Sequence, residues 1–530
     1  MRYDCDVLIV GAGPVGLTLA LLLSSNGHQV TIVERHDAVY PLPRAIALSH
    51  DILRIYDGLG LHDILFEDAL TDVRGIISDM VELLGVNGQV VRRAPFNGPS
   101  KSGTSMVVNL YQPALEEALE KACLSRGVSV VRSTEITNVI DMNSHVQVLA
   151  AGPGGARKWS SLYVVGCDGT NSTVRQLVGI PFIDCPGRKT NWLAVDVRPK
   201  WENAAEGWKD FYTTRTYMDP QRPRVSVWGP KHRRRWEFAL FPHEDAEVAS
   251  KPEFIWPLLE EFGCTPESAN FERSAVYTVR GRWCETFYKG RVLLSGDAAH
   301  QSPQFMGQGL NSGIRDAGSL SWRLDLALRY PKSNWPRTFQ DWSVERLGGV
   351  KDLISASVVI ENLVSITDLE EAIARDNMPA ASRPPNPEQL GSPGMYMSPS
   401  EVDAAHSDAV GALFIDGVIR MGDKQGRLCD LFGTLGWLIV EPSRESDSKD
   451  SLSTETRTLF SKVLRGKSLV LADDNIQDTT GTFTNWFQEH NAMGVLLRPD
   501  HYVYGVAKTS ADMEGLVQRA IEHAGPFVDL

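Results

Sequence analysis

The 530-residue chain has little that would staple it covalently or tie it to a membrane or nucleic acid. It holds only seven cysteines: Cys5, Cys123, Cys167, Cys185, Cys264, Cys284 and Cys429. The number is odd, the spacing is wide, and no C-x-x-C occurs. A disulfide framework and a zinc site are therefore both unexpected, and reduced thiols with no metal fit. Cationic surplus is lacking too. The 53 Lys and Arg residues face 66 Asp and Glu, for a net charge of −13. That argues against nucleic acid or an anionic membrane as the main partner. Long apolar runs are scarce. Val7 to Leu23 runs 17 residues without a charge, but Asp4 and Asp6 precede it and spaced glycines interrupt it. It suits neither a signal peptide nor a membrane span, and a cytoplasmic protein is expected.

What is present is the pattern of an α/β protein. CDVLIV reads as a strand, GAGPVG as a turn, LTLALLLSSNG as a helix and HQVTIVER as a second strand. The turn is Gly11-x-Gly13-x-x-Gly16, with Glu34 lying 18 residues past Gly16. Such glycines permit a tight turn, close helix packing and the approach of a pyrophosphate to unpaired N–H groups. A carboxylate at the second strand's end can accept ribose hydroxyls. A glycine-rich turn with no ligand is the plain alternative, and the motif does not separate FAD from NAD.

Two further segments have the same strand-to-turn character. Val165-Gly166-Cys167-Asp168-Gly169 leads to Ser172 and Arg175, and Asp168 is either a turn cap or a ligand. Gly296-Asp297-Ala298-Ala299-His300 follows the strand RVLLS, and Pro303 and Gly307-Gln308-Gly309-Leu310-Asn311 come next. There Asp297 could bind hydroxyls, and the helix begun at GQGLN could face an anion. His300 reads as structural.

Between about Phe182 and Thr286 the pattern changes to tryptophan-rich alternating runs, which predict an inserted antiparallel sheet. Met378 to Pro399 contains six prolines and reads as a linker. The expected organisation is a dinucleotide-binding domain in two parts, 1–181 and 287–377. Residues 182–286 form a substrate-covering β-sheet domain, 378–399 a linker, and 400–530 a C-terminal domain. Arg233-Arg234-Arg235 reads as a solvated strand edge or an attractor for a carboxylated substrate. Tyr277 reads as a core tyrosine or a substrate hydrogen-bond donor. His50, in Ser49-His50-Asp51, reads as a helix-start histidine or a proton acceptor near neutral pH, with Asp51 as a candidate orienting group.

The three glycine- and aspartate-bearing motifs, in this order and this far apart, resemble the flavoprotein aromatic hydroxylases. GDAAHQSPQFMGQGLNSGIRDAGSLSWRL is similar to the 3-(3-hydroxyphenyl)propionate and phenol hydroxylase branch. So are PRA at Pro43 to Ala45, RRRWEFALFP and LLRPDHYVYG. The resemblance implies a Rossmann-like FAD-binding fold, the inserted substrate sheet and a thioredoxin-like C-terminal domain. By position it implies that Gly11, Gly13, Pro14, Val15, Gly16, Glu34 and Arg35 hold the ADP half of FAD. Arg44 and Gln112 would contact its phosphate and ribityl region, Asp168 would serve the second fingerprint, and Asp297 would bind the ribityl chain. Pro303 and Gly307 to Asn311 would line the isoalloxazine ring. The implied reaction is NAD(P)H- and O2-dependent hydroxylation of a small phenolic substrate through a flavin C4a-hydroperoxide, with His50, Tyr277 and Pro303 at the reacting centre. A Baeyer–Villiger or epoxidising oxygenase acting on a polyketide is an alternative on the same scaffold. A flavin reductase that uses no O2 is another. The lone Cys429 argues against thiol–disulfide chemistry in the C-terminal domain, which would then serve stability or assembly, a homodimer included.

Overall fold

A computed structural model describes residues 3–68, 70–72, 80–95, 100–201, 203–210, 213–379, 408–432, 436–442, 451–473 and 476–523. The expected linker lies outside the described residues apart from Met378 and Pro379.

The first strand, Cys5–Val10, is buried on both faces, as its continuous apolar run requires of a central parallel strand. It pairs in parallel with Val30–Val33 on one side and with Gly155–Gly166 on the other. Ser129–Val131 extends the parallel sheet beyond Val30–Val33. Val292–Leu294 extends it beyond Gly155–Gly166. The chain therefore leaves the sheet after Gly166 and returns to the adjacent position more than a hundred residues later. Everything between is an excursion.

Helix Pro14–Ser25 is apolar around most of its circumference and buried accordingly. It crosses the helix Gly309–Arg329 at very close range. A Cβ on Gly313 would lie 2.7 Å from Val15 Cγ2 and 2.9 Å from Gly296 Cα. That crossing sets the starts of both helices side by side.

The excursion builds a second sheet. Its strand order is Ala269–Thr278, Asn191–Pro199, Arg234–Leu240, Arg224–Trp228, Thr214–Tyr217, Met80–Leu84 and Val90–Pro95. The last two strands come from outside 182–286. They join through a parallel pairing of Met80–Leu84 with Thr214–Tyr217. Phe182–Asp184 belongs instead to a small sheet with Arg282–Cys284 and His300–Gln301. The two-residue period separates the faces of Arg234–Leu240. Trp236, Phe238 and Leu240 pack with Trp208 and Phe262 on one side. Arg235 and Glu237 point to the other, toward a cavity.

In the C-terminal unit the strand order is Lys467–Val470, Leu438–Glu441, Gly494–Leu497 and Val503–Ala507. The first pair is parallel and the others antiparallel. Helices Thr454–Val463, Thr482–Glu489 and Ser510–His523 accompany the sheet. All seven cysteines are free thiols. Among the described residues, no helix is long and apolar enough to cross a membrane.

A buried charge network docks this unit. Arg498 donates to both Glu345 carboxylate oxygens at 2.9 Å, and Arg323 donates to the same group at 2.8 Å. Arg498 also bonds Asp500. Burial opposes ionisation of Glu345, but Arg323 and Arg498 outweigh it and hold the carboxyl down to about 2. Removing one member of such a network strands a buried charge, at a cost of about 3–5 kcal/mol. Glu345→Ala is therefore expected to lower the apparent Tm by several degrees at neutral pH. In the wild-type protein this stabilisation should be complete above the ordinary carboxyl value of 4.5 and drain away as pH falls from there toward 2. Thermal melts that do not differ between the two proteins at pH 7 would contradict the docking role.

Candidate active site

The two helix starts and the cavity face of the second sheet enclose a space of about 1100 Å³. The three glycines of the first motif do different work there. Gly11 has φ +107°, and a Cβ on it would lie 2.4 Å from the Cys167 carbonyl oxygen. A Cβ on Gly16 would lie 2.2 Å from the Gly11 carbonyl. Packing alone dictates those two. Gly13 has nothing within 4 Å of its Cβ position and lines the cavity with Pro14 and Val15. Room is thus kept at a helix N-terminus that has no side-chain cap.

Glu34 is half-buried and accepts the N–H groups of Ala12 at 2.8 Å and His36 at 2.9 Å. It braces the glycine turn and is not in the cavity wall. Arg35 is exposed and bonds His36 at 3.2 Å. Asp168 also stands behind the wall. Its Oδ2 accepts the Val174 N–H at 3.0 Å, its Oδ1 is buried without a hydrogen bond, and burial raises its pKa. Arg44 and Gln112 do reach the cavity. Gln112 accepts from the Ala45 N–H at 2.7 Å, and both side chains donate to Glu116.

The second motif supplies the opposite wall. The Asp297 carboxylate opens into the cavity with no hydrogen bond among the described residues. Protein encloses it on its other sides, and that burial raises its pKa. Ser295 beside it has a buried hydroxyl without a partner. The base beneath is well supported. Asp316 accepts from the Gly296 N–H at 2.9 Å and Arg346 at 2.6 Å, and is bonded to His300 at 2.7 Å. Burial disfavours the Asp316 charge, but His300 and Arg346 prevail and lower its pKa. His300 is thus a structural partner.

Pro303 and Gly307 to Asn311 all line the cavity. Gly307 has φ +63°, and neither Gly307 nor Gly309 has an atom near its Cβ position. Asn311 ties this turn to the strand Ala47–Ser49 by accepting the Ser49 N–H at 2.9 Å and donating to the Gly307 carbonyl at 2.8 Å. Gln308 donates to Ser49 Oγ at 3.2 Å.

Beyond this turn the walls become apolar, with Val81, Leu83, Val225, Val227, Phe305 and Val364. Two groups with proton chemistry face the same space. His50 is buried at the start of helix His50–Gly58, and its Nδ1 is hydrogen-bonded to Ser102 Oγ at 2.9 Å. Burial lowers its pKa from 6.5, helped by Arg315, Arg54 and Lys101 against the opposing pull of Asp51. Tyr277 donates from its hydroxyl to Glu237 at 2.9 Å. Burial first, then the neighbouring Glu237, pushes the Tyr277 phenol well above its ordinary value. Burial also raises the Glu237 carboxyl.

Asp51 does not orient His50. It bonds Arg315 at 2.5 and 3.1 Å, and Arg315 also donates to Gln308 at 2.9 Å. Consecutive helix residues point about 100° apart, so Asp51 faces a different neighbour. The arginine run is neither a solvated edge nor a free attractor. Arg233 pairs with Glu272 and lies over the Tyr111 ring, while Arg234 bonds Ser226. Arg235 binds Asp196 at 2.7 and 3.0 Å and clamps the carbonyls of Pro43 and Arg44. Ser102, Arg315, Glu237 and Asp196 carry no short-range signal in the sequence. Only folding brings them to their partners.

Residues 4–335 match the family described as FAD binding domain, and residues 411–522 match the HcaD C-terminal domain. The chain is 31% identical to a probable NADH-specific resorcinol 4-hydroxylase of Rhodococcus jostii, over 99% of this chain and 96% of that protein. It is 29% identical to a 3-(3-hydroxy-phenyl)propionate/3-hydroxycinnamic acid hydroxylase of Burkholderia vietnamiensis, over 96% of this chain and 94% of the relative. Aklavinone-11 hydroxylase, solved with FAD and aklavinone, shares the fold with a TM-score of 0.78 at 20% identity, over 98% of this chain and 100% of that one. The open Gly13 position, the uncapped helix start and the unpartnered Asp297 and Ser295 groups fit the pyrophosphate and polyol of FAD.

The glycine geometry yields a paired test. Gly16→Ala is expected to disrupt the turn and abolish soluble FAD-bound protein, because its Cβ collides with backbone. Gly13→Ala should fold with an unchanged apoprotein Tm and bind FAD at least about tenfold more weakly, since its methyl group fills the pyrophosphate approach. Flavin titration with equal affinity for Gly13→Ala and wild type would refute that division of roles.

Proposed function

This chain belongs to the FAD-binding-domain family of flavoprotein monooxygenases, and from that premise we propose that it hydroxylates a small phenolic ring using NAD(P)H and O2. The observation that carries the proposal is the continuity of the cavity. The wall that fits FAD passes without a break into an apolar chamber bearing His50 and the Tyr277–Glu237 pair. Bound FAD supplies electron transfer from NAD(P)H to O2, which makes one oxygen atom available to the ring. Gly13 to Gly16 would take the pyrophosphate, Asp297 the ribityl hydroxyls, and Pro303 with the Gly307–Asn311 backbone the ring system. Gln112 and Arg44 would flank the connecting chain. Glu34 and Asp168 would support this site from behind the wall.

The protein's part in the oxygen transfer is to exclude water, orient the phenol and take its proton. The apolar walls serve the first task. For the last, His50 must be neutral, and its lowered pKa favours that at neutral pH. In the tautomer whose Nδ1–H donates to Ser102 Oγ, Nε2 is free to accept the phenolic proton. Loss of that proton raises the electron density of the ring carbon to be attacked. Tyr277, held by Glu237, would fix a second ring substituent. Of the cations lining the cavity, Arg235 is committed to Asp196 and Arg375 to Asp376.

We further read the C-terminal unit as thioredoxin-like. Its strand order and its single parallel pair support this. Burial pushes the Cys429 thiol far up, so it is unsuited to thiol exchange.

A panel of phenols tests the proposal. Phenols such as resorcinol should stimulate NAD(P)H oxidation and yield a hydroxylated product. No stimulation by any phenol would overturn the reading. His50 adds a pH test. In the wild-type enzyme, product formed per NAD(P)H should fall as pH drops through a midpoint below 6.5, where the ring gains a proton. His50→Ala should keep FAD, release more H2O2 and lack that acidic limb. An identical pH profile in the variant would remove His50 from the mechanism.

A further inference from the structure

We propose that the C-terminal unit is part of the active site's construction, with Arg427 as a positioning residue that holds the Ser102 loop against His50. The inference rests on the reading of His50 given above.

Three observations carry it. The loop Ser100–Ser105 supplies Ser102, which is fully buried and hydrogen-bonded to His50 Nδ1 at 2.9 Å. This loop is gripped from the C-terminal side. The Asp416 N–H donates to the Lys101 carbonyl at 2.6 Å, and Arg427 Nη1 donates to the Ser102 carbonyl at 3.3 Å. The fit is too close for a side chain. A Cβ on Gly103, at φ +65°, would lie 2.6 Å from the Asp416 carbonyl and 3.1 Å from Arg427 Cδ. The helix bearing His50 is held by the same elements. Arg427 Nη2 donates to Asp57 at 2.7 Å, and Arg54 donates to the Phe414 carbonyl at 2.5 Å. Both partners of the His50–Ser102 contact are therefore seated on residues 414–427.

The nearby Asp57, Cys429 and Asp430 side chains converge closely, but the Arg427 guanidinium bonds both carboxylates there. Arg427 thus joins the His50 helix, the Ser102 loop and its own domain. The charged groups acting on His50 are Asp51, Arg315, Arg54 and Lys101, three of them on these gripped segments. Slackening the grip moves Lys101 and Ser102 relative to the imidazole. The consequence is a misplaced proton acceptor in a protein that still binds FAD.

The test uses full-length, FAD-loaded protein with isotopically labelled histidine, the His50 resonance being assigned with His50→Gln. Arg427→Ala and Gly103→Ala perturb the grip from its two sides. Asp430→Asn removes one ion pair of Arg427 but leaves its bond to Ser102. The first two variants should shift the His50 titration toward the ordinary 6.5 and raise H2O2 released per NAD(P)H several-fold, with FAD retained. Asp430→Asn should match wild type in both readouts. An unchanged His50 titration in folded Arg427→Ala or Gly103→Ala protein overturns the proposal, as does an equal shift in Asp430→Asn. A shifted titration with unchanged coupling would uphold the grip and overturn the role of His50 in the reaction.

Discussion

The arrangement depends on one close contact, the crossing of helices Pro14–Ser25 and Gly309–Arg329 at Val15, Gly296 and Gly313. Any side chain at Gly313 would force the helices apart, and interiors packed at crystal-like density transmit such shifts. The contact brings together two motifs separated by almost three hundred residues. It aims both helix starts at one space, so the positive ends of two backbone dipoles face the same ligand. The long excursion between Gly166 and Val292 is tolerated because the chain re-enters the parallel sheet beside the strand it left. The second sheet is thereby suspended over the two helix starts and closes the cavity.

Above that contact, charge is handled by pairing. Arg235 with Asp196, Arg315 with Asp51, and Arg498 with Glu345 and Asp500 are all buried. Buried pairs of this kind are weak sources of net stability but strong constraints on geometry, because each partner is costly to leave alone. Arg235 fastens the second sheet to the Pro43–Arg44 carbonyls, and Arg315 fastens the His50 helix to Gln308. The cavity wall is therefore assembled from segments that are each tied down elsewhere. Asp297 remains as a polar group open to a ligand.

The glycine-rich turns of the cavity were legible in the sequence, and so were His50 and Tyr277, but the partners that position those two side chains were not, for a physical reason. Gly11, Gly13, Gly16 and the turn from Gly307 to Asn311 act through backbone geometry set by neighbours a few residues away, and short motifs record that directly. The pairs Ser102–His50, Glu237–Tyr277 and Asp51–Arg315 are separated by 52, 40 and 264 residues. No local pattern encodes them. The Arg233–Arg235 run illustrates the same limit. Its strand lies inside the sheet, between Asn191–Pro199 and Arg224–Trp228, and alternation alone does not distinguish an interior strand from an edge. The strands Met80–Leu84 and Val90–Pro95 joined from far upstream by a parallel pairing, the kind least visible in a sequence. Glu34 stands at the end of its strand, as the sequence suggests, and there it braces the glycine turn through the Ala12 and His36 N–H groups.

The central claim is that the cavity joins a flavin site to a phenol site, so that an oxygen atom from O2 passes to the ring. The direct measurement is mass spectrometry of the product formed from resorcinol and NAD(P)H under ¹⁸O₂ in ordinary water. The expected product is ring-hydroxylated and carries one ¹⁸O atom. A product with oxygen drawn from water, or turnover of NAD(P)H that yields only H2O2 with every phenol tried, would contradict it.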